Sequence, residues 1–240
     1  MRELLRGLLD LALPRVCARC GAAACDRTPL CPPCFAALPR VAAHSCARCQ
    51  QVPGCAHGRL CSGCAARPSP LAACIAGAWF LGEVERWIRR FKYPARGLSR
   101  LDPSAPAVAR ALLREAARHA PDSPVDRVIP IPLHARALRR RGFNPALLLA
   151  REAAHSAGAP IAPVALQRVR DTPSQTGLDR AGRRRNVRRA FRAREPQTGR
   201  IWLVDDVVTT GATLEEAARA LRRAGATEVI GVCAARTPSP

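Results

Sequence analysis

The sequence predicts an α/β domain with a mostly parallel sheet, preceded by a small cysteine-rich module, and three observations predict it. Ten of the 12 cysteines fall between Cys17 and Cys64, leaving only Cys74 and Cys233 outside that stretch; such crowding marks a separately stapled unit. Beyond about residue 72, short apolar runs alternate with helical periodicity, the order that builds parallel strands joined by helices. One of those runs ends in two adjacent carboxylates, Asp205 and Asp206, and ligands of parallel sheets collect at the carboxyl ends of strands. A chain of 240 residues accommodates both units, and the shift in composition divides it into 1–68 and 72–240.

The elements follow in order. The opening MRELLRGLLDLALP has leucines at 4, 5, 8 and 11 with charges interleaved, which predicts a short packing helix ended near Pro14. It has neither the long apolar run of a membrane span nor an uninterrupted signal core. A cytoplasmic protein with no membrane insertion is expected, and a reducing cytosol argues against disulfides.

The cysteines then read Cys17-x-x-Cys20, Cys31-x-x-Cys34, Cys46-x-x-Cys49 and Cys61-x-x-Cys64. A CxxC turn sets two sulfurs on one side of a tight loop, and a second pair closes a tetrahedron around one Zn²⁺. Four pairs make two sites. The economical grouping is Cys17, Cys20, Cys31, Cys34 for one and Cys46, Cys49, Cys61, Cys64 for the other, with interleaved pairing the alternative. Both sites have a full ligand set and so would be structural, with the short module depending on its metal to fold. Cys25, Cys55, His44 and His57 lie close by as substitute ligands.

In the second unit, ACIAGAWF predicts a strand, EVERWIRRFKY a helix with Val84, Trp87, Ile88 and Phe91 on one face, and 104–120 another helix. VDRVIPIPL is a buried strand whose later part Pro130 and Pro132 confine to a strand end or loop. FNPALLLAREAAHSAG is a helix with Asn144 as cap and Pro145 at its first position. IWLVDD is a strand, 213–224 a helix ended by Gly225, and TEVIGVCAAR a further strand.

Charge narrows the partners. The formal net charge is +21, from 39 basic and 18 acidic residues, and Lys92 is the only lysine. Two ions each held by four thiolates would contribute a formal −2 per site and lower it to about +17. Such a field steers polyanions toward the protein. Base stacking would favour nucleic acid, yet aromatics are only 4% of the chain and Phe35 is the sole one in the cysteine region, so charge alone predicts salt-sensitive, sequence-blind binding.

After Asp205 and Asp206 comes TTGAT, leading into the helix LEEAARAL. Gly211 lets the backbone turn tightly, so that successive N–H groups and the helix N-terminus can cradle a phosphate, with the hydroxyls of Thr209, Thr210 and Thr213 as further donors. Carboxylates just upstream can accept hydrogen bonds from vicinal hydroxyls. Acid pair and phosphate nest together fit the two ends of one ribose 5-phosphate.

This string resembles the phosphoribosyl pyrophosphate (PRPP) motif of type I phosphoribosyltransferases. The four CxxC pairs, FKYPARG, VIPIPLHARALRRRGFNP, TPSQTGLDRAGRRRNVRRAF and VDDVVTTGAT occur here in the order expected of the ComF family, a double zinc ribbon joined to a phosphoribosyltransferase domain. The resemblance covers nearly the whole chain, with one departure: Pro145 stands where similar proteins usually have glutamine.

The resemblance implies that Asp205 and Asp206 are the central acids of the site, holding the 2′ and 3′ ribose hydroxyls. It places the PRPP-binding segment at Val204, Asp205, Asp206, Thr209, Thr210, Gly211, Ala212 and Thr213, with residues 209–213 around the 5′-phosphate. The Mg²⁺-chelated pyrophosphate would lie near the loop after IPIP, where Arg136, Arg139, Arg140 and Arg141 offer bidentate donors, with Gly142 permitting close backbone approach. Segment 172–190 corresponds to the mobile loop that covers PRPP. Three functions follow: a phosphoribosyltransferase with an unknown acceptor, a PRPP-sensing scaffold in competence and DNA uptake, or a zinc-ribbon binder of single-stranded DNA. The first two share one PRPP-binding site, and partners among the competence machinery are implied by the resemblance.

Overall fold

A computed structural model of the chain describes residues 16–23, 29–42, 44–56, 59–94, 104–172 and 179–238. The expected N-terminal helix lies outside the described residues, as do Cys25 and His57.

Four parallel strands form the central sheet in the order β1-β6-β5-β2: β1 (Ala73–Trp79), β2 (Arg127–Pro130), β5 (Arg200–Val208) and β6 (Glu228–Arg236). Their apolar runs are nearly continuous because both faces are covered. On one face Ile75, Trp202, Val204, Ile230 and Val232 join a core with Val84, Ile88 and Leu112. Alternate residues, Cys74, Ala76, Ile201, Leu203 and Cys233, enter a second core with Leu214, Ala217 and Leu221.

The first face carries α3 (Gly82–Lys92), α4 (Ser104–Arg118) and α6 (Pro145–Ala157). In α3 the residues Val84, Trp87, Ile88 and Phe91 are buried, as their spacing requires. Asn144 caps α6 by accepting a hydrogen bond from the Ala146 N–H at 3.1 Å. The second face carries α8 (Ala212–Arg223), flanked by α7 (Arg180–Val187) and by the antiparallel pair β3 (Leu166–Arg168) and β4 (Phe191–Ala193). Helix α4 crosses β1 so closely that a Cβ on Gly77 would stand 2.0 Å from the Leu112 carbonyl oxygen.

Three boundaries differ from expectation. β5 continues two residues past the acid pair, because Val207 and Val208 extend the apolar pattern and pair with Ala235 and Arg236 of β6. The arginine run after β2 is a helix, α5 (Ala135–Arg141), and Gly142 ends it at φ 84°; the left-handed cap is the need that glycine meets there. Within the arginine-rich 172–190 segment, Asp179 caps α7 through the Gly182 N–H at 2.6 Å, so part of a stretch expected to be loop is helical. Residues 173–178 lie outside the described residues.

The cysteine module has little regular structure beyond α1 (Pro32–Ala36) and α2 (Ser62–Ala65), each starting immediately after a cysteine, Cys31 and Cys61. It covers the outer edge of β1. The Trp79 N–H donates to the Pro39 carbonyl at 2.7 Å and the Cys74 N–H to that of Ala47 at 2.8 Å. The Gln50 side chain continues this pairing, accepting from the Ala76 N–H at 2.8 Å and donating to the Ala76 carbonyl at 3.3 Å. An edge strand otherwise open to association is thereby closed. Leu30, Leu38 and Ala47 join the same apolar cluster as Ile75 and Val84.

Candidate functional site

The cysteines form two groups, Cys17, Cys20, Cys31, Cys34 and Cys46, Cys49, Cys61, Cys64, in each of which the ligand atoms lie within 4.8 Å of one another. Sequential grouping is therefore the one that the fold builds. A tetrahedron of sulfurs about 2.3 Å from a metal has edges of about 3.8 Å. The Cys20–Cys31 and Cys49–Cys61 sulfur separations, 3.6 and 3.9 Å, bracket that value. Backbone N–H groups of Cys61 and Gln51 point at the sulfurs of Cys46 and Cys49, at 3.3 and 3.5 Å, a contact that favours thiolate. The donor set thus fits a metal ion in each group. His44 and Cys55 belong to neither group.

A cleft of about 1630 Å³ opens at the carboxyl ends of β5, β6 and β1. Asp205 and Asp206 line it, followed around the turn by Thr209, Thr210, Gly211 and Thr213. Successive strand residues point to opposite faces, so the two carboxylates part company although adjacent in the chain. Asp206 is buried and points to the α3 face, where Lys92 Nζ stands 2.9 Å from its Oδ1. The same oxygen accepts the Val207 N–H at 2.7 Å. Asp205 lies toward the other core, in register with Cys233, and its Oδ1 accepts the Asp206 N–H at 2.9 Å. Burial, reinforced by the charge of Asp206, raises the Asp205 pKa to about 7, against the pull of Lys92, the Asp206 N–H and Arg168.

Gly211, at φ 80°, precedes the first turn of α8, and Thr210 Oγ1 accepts the Ala212 N–H at 3.4 Å. The turn after the acid pair thus presents hydroxyls and a helix N-terminus to the cleft. Val204 and Ala212 are buried behind it and hold the strand and helix in place.

Of the arginine run, Arg136, Arg140 and Arg141 reach the cleft wall, while Arg139 and Gly142 are not among its lining residues. Arg136 pairs with Asp171 at 3.2 Å, which ties α5 to the segment after β3. Arg141 donates to the Tyr93 hydroxyl at 2.9 Å and lies over its ring at 4.7 Å.

Four sets of lining residues escaped sequence reasoning. Lys92 and Tyr93 come from α3 and its cap, Arg168 from β3, Arg183 and Arg184 from α7, and Arg48 and Arg67 from the cysteine module. Arg168 stacks over Phe191 at 5.5 Å and hydrogen-bonds Thr172; burial lowers its pKa. Arg236, at the end of β6, fixes the module beside the cleft by donating to the carbonyls of Arg48 and Cys74, at 3.1 and 2.8 Å, and to Gln50 Oε1 at 3.1 Å. The advance signals were FKYPARG, which holds the chain's single lysine, and the 172–190 segment, which holds Arg183 and Arg184.

A parallel α/β sheet with an acid pair at the end of its central strand and a threonine–glycine turn leading into a helix defines the phosphoribosyltransferase class. The phosphoribosyl transferase domain family matches residues 137–240. Among curated proteins, the DNA utilization protein YhgH of Salmonella typhi is 34% identical over 227 residues, spanning 92% of this chain and 90% of that one. The Shigella flexneri protein of the same name is 34% identical over the same spans. Competence protein F of Haemophilus influenzae is 38% identical over 106 residues, 42% of this chain and 46% of its own length. Among solved structures, a glutamine PRPP amidotransferase from B. subtilis complexed with ADP and GMP is 22% identical with a TM-score of 0.37, covering 61% of this chain and 30% of that one. The chain belongs to the ComF-type family, a phosphoribosyltransferase-type domain behind two four-cysteine clusters. No helix among the described residues is long and apolar enough to cross a membrane.

Proposed function

We propose that the cleft binds Mg²⁺-PRPP. Asp205 and Asp206 accept hydrogen bonds from the ribose 2′ and 3′ hydroxyls, and the 209–213 turn takes the 5′-phosphate. Arg136, Arg140 and Arg141 face the pyrophosphate, where guanidinium forks suit phosphate oxygens. Arg139 stands outside this set, since it does not line the cleft. When bound, Mg²⁺ neutralises charge on the pyrophosphate. The chain's own residues position the sugar and surround its anionic groups, which is most of what phosphoribosyl transfer asks of a protein. Helix α7, with Arg183 and Arg184 at the cleft, covers the bound sugar and excludes water. Zn²⁺ occupies both cysteine clusters as a structural ion. The units 1–68 and 72–240 are the two domains, and the protein works in the cytoplasm in DNA utilisation or competence, the roles its relatives' names give.

The observation that carries this reading is the acid pair near the end of β5, two residues before the turn into α8. Calorimetry of Mg²⁺-PRPP with the zinc-loaded protein tests it against an Asp205→Asn, Asp206→Asn double variant. Binding by the wild type that the variant loses is expected; a wild type that does not bind overturns the site. Pyrophosphate release in an acceptor screen then separates a transferase from a PRPP-sensing scaffold.

A second reading is favoured by Arg48 and Arg67, which bring the cysteine module into the same cleft: single-stranded DNA is a partner, held through its phosphates. Its affinity should fall steeply between low and moderate salt, each neutralised phosphate contributing about −0.7 to the logarithmic slope. Absence of binding at low salt would remove it.

A further inference from the structure

Three consecutive residues at the end of α3 each reach a different part of the cleft's framework. Phe91, buried, packs its ring 6.3 Å from that of Phe143, just beyond α5. Lys92 meets Asp206 at 2.9 Å. Tyr93 carries Arg141 by a hydrogen bond of 2.9 Å and a stacked guanidinium at 4.7 Å. One short segment thus touches both the acid that would receive the ribose and an arginine that would face the pyrophosphate.

Resting on the ribose-phosphate reading above, we propose that Lys92 is a positioning residue for PRPP, holding the Asp206 carboxylate in place and aimed at the ribose while Tyr93 sets Arg141 against the pyrophosphate. Two adjacent carboxylates are a poor reception for a polyanion, because they repel it and each other. An ammonium on Asp206 cancels one of those charges without occupying the cleft that the sugar needs. It also leaves the carboxylate as an acceptor, which a proton in the same place would not. Lysine suits the role: its compact charge on a long apolar stem lets Lys92 span from α3 to β5, whereas a guanidinium is a broad planar fork. Every other basic residue of the chain is arginine, so a general demand for positive charge does not account for this one.

The charged and titratable groups that bear on the acid pair are Lys92 from α3, Arg168 from β3 and Cys233 from β6, besides the two acids of β5. Lys92 is one of the groups that hold down the raised pKa of Asp205, so removing it leaves that carboxyl closer to taking up a proton, and a protonated carboxyl has lost an acceptor site. The deficit in PRPP binding should therefore widen as pH falls.

Calorimetric titration of zinc-loaded protein with Mg²⁺-PRPP between pH 6.5 and 8.5 tests this with three variants. Lys92→Met should weaken binding by roughly 10- to 100-fold at pH 8, the range of a hydrogen bond to a charged group, and by more at pH 6.5. Lys92→Arg, which keeps the charge but not the compact head, should hold the wild-type pH profile with an affinity between those of wild type and Lys92→Met. Arg86→Met removes the same charge from an exposed position on the same helix, where Arg86 pairs with Glu83 at 3.4 Å, and should change affinity less than twofold. Wild-type binding that Lys92→Met leaves within twofold overturns the role of Lys92 alone. An equal loss in Arg86→Met overturns it too, reducing the effect to net charge. A wild type that does not bind overturns the ribose-phosphate site and this role with it.

Discussion

Replacing Asp205 with asparagine should make the ligand-free protein more stable while it removes a ligand contact. The carboxyl's pKa rises from 3.8 to about 7, first through burial and then through the charge of Asp206. An acid raised in the folded state prefers its proton there, so stability is fully present below the unfolded value and is lost as pH climbs from about 4 to about 7. At about 1.4 kcal/mol per pKa unit, the ionised group destabilises the fold by about 4 kcal/mol at pH 8 and by about 2 kcal/mol at pH 5.5. Asparagine keeps the oxygen that accepts the Asp206 N–H and carries no charge. Urea unfolding of zinc-loaded wild type and Asp205→Asn at both pH values reads the difference. The variant should be the more stable at pH 8, with its advantage growing by about 2 kcal/mol between pH 5.5 and 8. PRPP binding by the same variant should fall at least tenfold, one charged hydrogen bond's worth. A variant that is less stable at pH 8, or one whose advantage ignores pH, would refute the reasoning.

Two further outcomes probe the framework. Stripping metal with a strong chelator should unfold the cysteine module, open the bonds after Arg48 and Arg59 to trypsin, and lower the melting temperature by on the order of 10 °C, because the module also covers the edge of β1; an unchanged melting curve and digestion pattern would sink the structural-metal role. Gly77→Ala should cost more than about 3 kcal/mol or prevent folding, since its Cβ would stand 2.0 Å from the Leu112 oxygen. Gly231→Ala, whose Cβ would meet Cys74 Sγ at 3.2 Å and Leu214 Cδ1 at 3.3 Å, should cost about 1 kcal/mol, and urea titration of the two variants compares them.

The strands and helices were legible because their causes are local. The faces of α3, the Asn144–Pro145 start of α6 and the apolar runs of β5 and β6 each carry their own period or cap. Cysteine spacing was legible for the same reason: a CxxC knuckle is a local turn. Where composition stood in for pattern, reading failed. Arginine-rich stretches looked like loops, yet the short helices α5 and α7 lie in them, marked by a His134 cap and an Asp179 cap that the charge runs obscured.

Least legible was what meets across the fold, and the two adjacent carboxylates show why. In the chain Asp205 and Asp206 are like charges side by side. In the sheet, the pleat turns them to opposite faces, and the cations that meet them come from far away: Lys92 from α3 pairs with Asp206 and also draws on Asp205, and Arg168 from β3 adds its pull on Asp205. Neither pairing has a sequence signature, because each depends on which helix or strand the topology lays against β5. The cysteine module's share of the cleft is hidden in the same way. It rests on Arg236, a buried arginine at the far end of the chain, whose hydrogen bonds to Arg48 and Gln50 no spacing rule connects. The motif that named the family therefore located the acids, and the fold alone shows which cations a strongly basic chain sets around them.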